Sequence, residues 1–589
     1  MQWYIQEQRV QMQVISLLSF ILFVFFYAKD NIAYITAAAV FFAVLIAILY
    51  LYYIRTKVLP LSPPFLLAAI FLLMAFYQIG STNVPQTYMK LTKQSPTADF
   101  VFDQPQSISR ICYYVGIDKN AKFVIEYQNK SEKWKPFYKY RSNYPFSFQW
   151  RCLTAGIKSK HIRLTLLHNK MMLGEVYFFH GKDAVPYSSP NRHLYDEQAS
   201  PVDTTYRSSM YFDEIYHGRT AYEIMHGLSV YENVHPYLGK MLLIPGIKLF
   251  GMTPFGWRFM NVLFAAFMII CIYYMALQLF KKEIFAFAAA WMLTFSFMHF
   301  TQARLAHIDT FGVFFVICSY YFLYRFITDY RVSMLFVSGI FFGLAASVKW
   351  SAVFASLGYG GILIYLMLHN DAILKRYPLY KLLLYGLYSY LMIAGSVYLL
   401  SFWDILVHGN GLKGVIDYNL NMYHYHTTLK ATHPYSSPWW SWLLDLKPMG
   451  YYRQMHGSML STINAFGNPA IVWTGLISIA FGLYFILRYS SKEGALVLFA
   501  LLGLLLSYAF VGRLMFIYHL YYALPFVILS VVFFFKEGVC KREFCFYAVY
   551  LYLILVAGLF LLFYPVLSGY EIDKGYVVHW LKWFKGWWF

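Results

Sequence analysis

The chain contains the run Asn261-Val-Leu-Phe-Ala-Ala-Phe-Met-Ile-Ile-Cys-Ile-Tyr-Tyr-Met-Ala-Leu-Gln-Leu-Phe280, in which no side chain is charged, and Lys281-Lys282 follows it directly. A helix needs about 20 mostly apolar residues to cross a bilayer, so this run predicts a membrane-spanning helix. The whole chain of 589 residues has the same character, with 59% hydrophobic and 13% charged residues. Because soluble proteins contain about 25% charged residues, this composition excludes a soluble multidomain enzyme.

Further apolar runs of this kind predict about thirteen membrane-spanning helices in total. The runs lie at about 12–28, 33–54, 58–78, 241–280, 284–300, 310–328, 333–348, 350–368, 382–402, 468–488, 494–512, 516–535 and 545–567. No small-residue cleavage site follows the first run, which therefore predicts a retained membrane helix and not a removed signal peptide. We expect a polytopic α-helical protein that lies in the lipid bilayer of a cell membrane.

The formal net charge is +20, and the positions of the basic residues explain this charge without a nucleic-acid partner. Many of them fall in alternate short loops, namely Arg55, Lys57, Lys281, Lys282, Arg331, Lys375, Arg376, Lys381, Arg488, Lys492, Lys536, Lys541 and Arg542. Basic residues keep loops on the cytoplasmic side of a membrane. The pattern therefore predicts a cytoplasmic N-terminus and an extracytoplasmic C-terminus.

The apolar runs and the polar segments between them predict the domain organisation. The expected parts are three helices at 1–78, an extracytoplasmic β-sandwich-like domain at 79–200, a first outer loop at 201–240, core helices at 241–402, a second outer region at 403–467, C-terminal helices at 468–567 and an outer tail at 568–589.

The strand pattern of the first outer segment is clearest at about 95–185. Phe123-Val-Ile-Glu-Tyr127 and Ile162-Arg-Leu-Thr-Leu166 show the period-two alternation of half-buried strands. We therefore expect a small antiparallel β-domain, inserted on the outer side, that binds a ligand or supports the helices. Cys112 and Cys152 both lie in it; an oxidising compartment permits a disulfide bond, and two buried free thiols are the alternative.

Ionisable residues are concentrated just before the run that ends at Phe280. They occur in Tyr211-Phe-Asp-Glu-Ile-Tyr-His-Gly-Arg219 and in Tyr231-Glu-Asn-Val-His-Pro-Tyr-Leu-Gly-Lys240. Asp213 and Glu214 are adjacent and point to different sides of any regular element, so two different roles are expected. One carboxylate can act as a general base while the other orients a neighbour or binds a ligand. The alternative is a solvated acidic pair on a loop.

Cations mark four predicted outer helix ends near the apolar boundary. Lys240 and Arg258 flank one end, Arg304 and Asp309 lie at the next, Lys349 and Trp350 at a third and Arg513 at a fourth. Each cation alone is more typical of a side chain that snorkels to the membrane surface. Together they predict a site for a lipid-linked phosphate, which accepts charge-assisted hydrogen bonds.

At these residues the sequence resembles the dolichyl-phosphate-mannose protein O-mannosyltransferases and their bacterial relatives, which are membrane glycosyltransferases of the GT-C fold. The resemblance runs in family order through Phe212-Asp-Glu214, His235-Pro-Tyr-Leu-Gly-Lys240, Phe255-Gly-Trp-Arg258, Ala303-Arg-Leu-Ala-His-Ile-Asp309, Ser347-Val-Lys-Trp350, His433-Pro-Tyr-Ser-Ser-Pro-Trp-Trp-Ser-Trp442 and Arg513-Leu-Met-Phe-Ile-Tyr-His519. Tyr237 stands where the family usually has a second proline. The 403–467 region is too short for the β-trefoil domain that eukaryotic members insert there, so the resemblance is to a bacterial-type member.

The resemblance implies an inverting transfer of a sugar, typically mannose, from a polyprenyl-phosphate donor to Ser or Thr hydroxyls of proteins on the outer face. It implies Asp213 as the catalytic base and Glu214 as an orienting catalytic residue. The expected phosphate-binding residues are Lys240, Arg304, Lys349 and Arg513, and the expected supporting residues are His235, Arg258, Asp309, Trp350 and His519. No cofactor is required, although Asp213 and Glu214 could bind a divalent metal with a nearby histidine.

Two alternatives remain at this stage. One keeps the donor chemistry but uses a lipid or cell-wall glycan as the acceptor, because no motif identifies the acceptor groove. The other is a transporter or flippase for lipid-linked sugars. A transporter is expected to show internal repeats or paired broken helices with ionisable residues near the midplane. The sequence shows no repeat, and its ionisable residues cluster at the outer helix ends.

Overall fold

The structure, a computed structural model, describes residues 63–141, 146–199, 204–369, 371–540 and 546–589, with a few single positions before residue 63. Its residues form two compact units. The helical unit contains the described residues up to Tyr77, then Glu232–Leu242 and Asn261–Phe589, and the sheet unit contains Gln78–Tyr231 and Leu243–Met260. The sheet unit therefore extends past residue 200 and includes most of the segment that the sequence predicts as a first outer loop.

Seven helices among the described residues are long and apolar enough to span a membrane. They are Pro254–Phe280, Asp309–Asp329, Trp350–Leu368, Leu379–Leu400, Pro469–Tyr489, Lys492–Phe510 and Phe546–Ser568. Pro63–Phe76 and Val332–Val348 are shorter apolar helices. The runs predicted at about 12–28 and 33–54 lie outside the described residues, so the total of about thirteen stays a prediction.

Three of the predicted runs are broken, and the run at about 241–280 divides into Ile244–Phe250 and Pro254–Phe280. Glu283–Thr294 and Phe297–Ala303 meet at a bend of 57°, and they count as an eighth span only if the pair is one segment. The freed carbonyl of Phe295 at this break accepts a hydrogen bond from Asn468 Nδ2 at 3.2 Å. The run at 516–535 is not one continuous α-helix, since a 3-10 helix at Ile517–Tyr522 precedes the α-helix Leu524–Phe534.

Shorter helices connect these segments. They are Glu214–Met225, Leu238–Met241, Ile244–Phe250, Ala372–Arg376, Trp403–His408, Gly411–Thr428 and Lys574–Tyr576. Gly411–Thr428 lies in the second predicted outer region and has a polar surface, with only Val415, Tyr418 and Met422 buried.

The sheet unit contains one antiparallel sheet of seven strands. They are β1 (Met89–Leu91), β2 (Thr97–Asp118), β3 (Lys122–Gln128), β4 (Trp134–Arg141), β5 (Ser147–His168), β6 (Met171–His180) and β7 (Asp183–Val185). The order is β1-β6-β2-β5-β3-β4, with β7 paired to β6. The strands thus form one continuous sheet and not the two separate sheets of a sandwich, because β2 and β5 pair along most of their length across two register shifts.

Both faces of this sheet are covered near its centre. Ile111, Tyr113 and Val115 of β2 belong to the main core, while Cys112 and Tyr114 on the opposite face are also buried. Cys112 and Cys152 are direct cross-strand partners and form a disulfide bond. Of the two alternatives that the sequence leaves open, the structure therefore shows the disulfide.

A buried carboxylate connects the sheet to the segment that leads toward Asp213. Glu175 of β6 is fully buried and accepts the backbone N–H groups of Glu197, Gln198 and Ala199 at 2.7, 2.6 and 2.7 Å. Burial raises the pKa of Glu175, and these three hydrogen bonds oppose that rise.

The helical unit contains a second, smaller sheet. It has the order β10-β9-β8, with β8 at Met449–His456, β9 at Met459–Ala465 and β10 at Ile572–Asp573. The C-terminal tail packs beside this sheet, and the buried Trp587 ring lies 5.2 Å from Phe466.

The disulfide is testable by alkylation. We expect Cys112 and Cys152 to react with iodoacetamide in unfolded protein only after a reductant is added. Replacing both by Ser should lower the free energy of unfolding of the sheet unit by about 2–4 kcal/mol, because the bond restricts the unfolded chain. Cys271→Ser is the control, since Cys271 is a free thiol. Alkylation of both residues without reductant would contradict the bond.

Candidate active site

Glu214 and Arg258 form a two-point ion pair inside the sheet unit. Arg258 Nε donates to Glu214 Oε1 and Arg258 Nη2 donates to Oε2, both at 2.7 Å. The remaining guanidinium donors reach the carbonyls of Ile79 at 2.5 Å and Ser209 at 3.1 Å. Both charged side chains are 0% exposed. Since the pairing satisfies both carboxylate oxygens, Glu214 is held in one orientation.

Asp213 precedes this anchored residue and is only half-buried. It is the N-cap of the helix Glu214–Met225. Phe212, just before it, has a φ of 49°, a left-handed conformation that is strained for a bulky side chain. Strain of this kind persists only where the surrounding structure enforces it, and it is frequent at functional sites. The Glu214–Arg258 pair provides such enforcement for the turn that carries Asp213.

A cavity of about 520 Å³ lies within the helical unit. Its polar lining consists of His235, Lys349, Ser351, His426, Thr427, Arg513 and His519, and its aromatic lining of Trp350, Phe354, Tyr508 and Phe510. No Asp or Glu is among the described residues that line it. The cavity therefore presents two cationic side chains, Lys349 and Arg513, without an acidic side chain among the described residues of its wall.

Lys349 is held by a carboxylate behind the cavity wall. Its Nζ lies 2.8 Å from Asp309 Oδ1, and Asp309 is fully buried. The Lys349 side chain is 12% exposed. Asp309 thus fixes the position of the ammonium group while part of that group remains available to a ligand.

Arg513 contacts a neutral imidazole. His426 Nε2 donates to the Val234 carbonyl at 2.8 Å, which leaves Nδ1 to accept a hydrogen bond from Arg513 Nη1. Burial, together with the Arg513 charge, lowers the pKa of His426 to about 4, so this imidazole is neutral near pH 7. Arg513 makes no ion pair with a carboxylate among the described residues. An anionic ligand would therefore supply a counter-ion for its guanidinium group.

Lys240 does not line the cavity and is 0% exposed. Its Nζ donates to Glu232 Oε2 and to the His235 carbonyl, each at 2.7 Å. Glu232 Oε1 also pairs with His235 Nδ1 at 2.7 Å. Lys240 therefore stabilises the turn that places His235 at the cavity. Tyr237, which replaces the usual proline, packs in this turn with its ring 5.2 Å from that of Tyr418.

Arg304 also lies away from the cavity. Its Nη1 donates to the carbonyls of Ala75 at 2.7 Å and Tyr77 at 2.6 Å, and its Nη2 to that of Ser568 at 3.3 Å. Carbonyls at helix C-termini lack partners within their own helix and attract cations. Arg304 thus caps the ends of two helices. Of the four cations predicted to bind phosphate, the structure brings only Lys349 and Arg513 to the cavity.

The remaining predicted site residues also fall into two groups, those that line the cavity and those that hold another side chain in place. Trp350 and His519 line the cavity, Asp309 holds Lys349 and Arg258 holds Glu214. Sequence reasoning missed His426 and Glu232. Glu232 stands three residues before His235, a spacing that allows their ion pair, but the region around His426 carries no recognisable motif.

Comparisons with known proteins identify the family of the chain. One family model, described as Dolichyl-phosphate-mannose-protein mannosyltransferase, matches residues 234–394. A second, the C-terminal four TMM region of protein-O-mannosyltransferase, matches residues 411–587. Together they cover more than half of the chain and include every charged residue of the cavity. The chain belongs to the protein O-mannosyltransferase family.

Two bacterial proteins are similar to the chain over most of their own length. The polyprenol-phosphate-mannose–protein mannosyltransferase of Corynebacterium glutamicum is 26% identical over 427 residues, which are 60% of this chain and 81% of the relative. The protein of the same name from Mycobacterium tuberculosis is 22% identical over 443 residues, which are 62% of this chain and 84% of the relative.

A solved structure confirms the fold of the family. The S. cerevisiae protein O-mannosyltransferase complex, bound to the sugar donor, superposes with a TM-score of 0.57 at 14% identity, over 64% of this chain and 89% of that chain. The predicted GT-C class is thereby confirmed, and the seven-stranded sheet of this structure shows the predicted β-domain. The helix count and the orientation in the membrane stay predictions.

The buried ion pair between Glu214 and Arg258 leads to a prediction about stability. We expect Glu214→Gln to lower the free energy of unfolding by about 3–5 kcal/mol, because it leaves the Arg258 charge buried without its counter-ion. Thermal unfolding in detergent measures the loss. Asp329→Asn is the control and should cost at most about 1 kcal/mol, since its pair with Arg325 is partly exposed. Equal effects of the two substitutions would contradict an anchoring role for Glu214.

Proposed function

We propose that the chain transfers mannose from a polyprenyl-phosphate-mannose donor to Ser or Thr hydroxyls of proteins, with inversion at the sugar carbon. The observation that carries this proposal is the cavity whose wall presents Lys349 and Arg513 with no described acidic residue. Membership of the family and the names of the bacterial relatives support the donor and the acceptor class.

The donor phosphate binds between Lys349 and Arg513. When the bond from the sugar to the phosphate oxygen breaks, negative charge develops on the departing polyprenyl phosphate. Cations that are already fixed in place stabilise such charge without reorganisation. Asp309 fixes Lys349, and the contact with His426 fixes Arg513. Lys240 and Arg304 act as positioning residues and do not bind the phosphate.

The apolar side of the cavity suits the polyprenyl chain. Phe354, Phe510 and Val511 line it, and Phe510 is 87% exposed, as expected of a side chain that faces lipid. The Trp350 ring is fixed by a hydrogen bond from its Nε1 to the Tyr398 hydroxyl at 3.0 Å. We assign this ring, with His235 and His519, to the sugar end of the donor.

Asp213 serves as the general base. The acceptor hydroxyl attacks the anomeric carbon, its proton passes to Asp213, and polyprenyl phosphate leaves with the electron pair of the broken bond. A positioned base contributes about 10²- to 10⁴-fold to such a step. Glu214 orients this region and does not act as a base or a metal ligand, because both of its oxygens are occupied by Arg258. The proposed step needs no metal, since Lys349 and Arg513 supply the positive charge.

The reaction takes place on the extracytoplasmic face, with the N-terminus in the cytoplasm. Two observations support this placement. Basic residues fill the alternate loops assigned to the cytoplasm. The Cys112–Cys152 bond is of a kind that persists in oxidising compartments.

Two kinds of variant test the assignment with purified full-length protein and labelled donor. Asp213→Asn should abolish transfer to a Ser/Thr-rich peptide and leave donor affinity within about twofold, because it removes a base and no phosphate contact. Lys349→Gln and Arg513→Gln should each weaken donor binding about tenfold or more, because each removes a charge-assisted hydrogen bond. Lys413→Gln is the control, since Lys413 is an exposed cation that does not line the cavity.

Other outcomes point to the alternatives. Donor binding without transfer to any peptide, combined with transfer to a glycan or lipid, would replace the protein acceptor. Donor movement across a bilayer without transfer would indicate a flippase. Unchanged donor affinity in both cavity variants would contradict the phosphate site.

A further inference from the structure

A second, smaller pocket lies in the helical unit beside the three-stranded sheet. Its volume is about 120 Å³. Strands β8 and β9 contribute Gly450, Tyr451, Tyr452, Arg453, Thr462 and Asn464, and Tyr435 and the C-terminal Trp588 and Phe589 complete it. We name it the tail pocket, because the last residues of the chain form one of its walls.

The tail pocket contains a buried polar atom that has no partner in the part of the chain that the structure describes. Asn464 is 1% exposed, and its Nδ2 donates to the Val566 carbonyl at 3.1 Å and to Thr462 Oγ1 at 3.0 Å. These bonds direct Oδ1 toward the Gly450 side, where a Cβ on Gly450 would lie 3.5 Å from it. Among the described residues Oδ1 has no hydrogen-bond partner. An unpaired buried acceptor is costly, and a ligand that donates a hydrogen bond would remove this cost.

The wall formed by the tail is firmly positioned. Trp587 is fully buried, and its Nε1 donates to the Asp445 carbonyl at 2.6 Å. The backbone at Gly586 passes so close to the Leu446 carbonyl that a Cβ would lie 2.5 Å from that oxygen. The following residue, Trp588, is 51% exposed and its ring lies 6.4 Å from that of Tyr435. The tail thus contributes the partly exposed ring of Trp588 to the wall of the pocket.

A single layer of aromatic rings separates the tail pocket from the donor cavity. The Tyr451 ring of the tail pocket lies 6.2 Å from the Tyr518 ring, and Lys349 Nζ of the cavity lies 5.7 Å from the centre of that same ring. The segment around Tyr435 is also joined to the cavity wall, since Ser437 N donates to the carbonyl of the lining residue Met515 at 2.9 Å.

We propose that the tail pocket is an acceptor subsite, which binds a hydroxyl- or amide-bearing side chain of the polypeptide that is glycosylated. This inference rests on the proposed function and identifies where its acceptor is held. The hydroxyl or amide group of that side chain donates a hydrogen bond to Asn464 Oδ1, and Trp588 packs against the apolar part of the same side chain.

The edge of the small sheet favours an extended peptide as the occupant. β8 is a terminal strand in the order β10-β9-β8, and no described strand pairs with its outer side. Extended peptides commonly add to such an edge through main-chain hydrogen bonds, while pockets for alternate side chains supply specificity. A polypeptide acceptor uses both features, whereas a glycan has no main chain to pair with β8.

The test compares two acceptors with the purified full-length protein. One is a long Thr-containing peptide, and the other is N-acetyl-threonine methylamide, which is too short to reach the tail pocket. Trp588→Ala should raise the KM for the peptide about fivefold or more, because it removes an aromatic contact from a small binding site. Gly450→Ala should raise the same KM, because the added Cβ would lie 3.0 Å from the Tyr435 hydroxyl oxygen and would narrow the pocket. Donor affinity, kcat and the KM for the short acceptor should not change.

Trp580→Ala is the matched control, because Trp580 is a tryptophan of the same tail that is 63% exposed and does not line the pocket. An unchanged peptide KM in Trp588→Ala, with normal donor binding, would overturn the subsite. Equal loss with both acceptors would also overturn it, since that result indicates a purely structural role. If the wild-type protein transfers mannose to neither acceptor, the proposed function itself fails, and the subsite fails with it.

Discussion

The cost of burying an unpaired charge determines how this membrane protein uses its cations. Charges at a buried position need a counter-ion or several hydrogen bonds, because the desolvation penalty amounts to several kcal/mol per ion. Lys240, Arg258 and Arg304 are all buried and are satisfied by Glu232, by Glu214 and by backbone carbonyls, respectively. Lys349 and Arg513 instead reach a cavity without a described acidic lining residue. Burial thus separates structural cations from those that are available to a substrate.

The same constraint prepares the site for its charged ligand. Asp309 offsets part of the Lys349 charge from behind the wall, which makes a partly exposed ammonium tolerable before the donor binds. The neutral His426 fixes Arg513 without neutralising it. Neither cation has to move far when a phosphate enters, so the stabilisation of the leaving group is already in place. The tail pocket lies one aromatic layer away, and the two sites together would hold donor and acceptor in one unit.

Much of the fold could be predicted from the sequence, because long apolar runs have few other stable structures. Pro254–Phe280 and Phe546–Ser568 are examples. The break before Leu524 was missed, although Pro525 favours the first turn of a new helix and the preceding part of the run contains His519 and three tyrosines. The continuous β-sheet was also missed, because alternation predicts strands but does not show whether β2 and β5 pair along their whole length.

The site was predictable in its residue types but not in their division of roles. Asp213, Glu214, Lys349 and Arg513 stand in recognisable motifs. The role of Arg304 depends on carbonyls at Ala75 and Ser568, which are distant in the sequence and meet only in the folded chain. Sequence patterns carry no signal for backbone acceptors of this kind. The same reason hides Asn464 of β9, whose hydrogen-bond partner Val566 lies on the distant helix Phe546–Ser568.

The most direct test of the central claim is an experimental structure of the full-length protein with polyprenyl-phosphate-mannose bound. We expect phosphate oxygens within hydrogen-bonding distance of both Lys349 Nζ and the Arg513 guanidinium, with Lys240 still paired to Glu232 and Arg304 still bound to backbone carbonyls. A phosphate bound by Lys240 or Arg304, with Lys349 and Arg513 free of it, would contradict the division between structural and donor-binding cations.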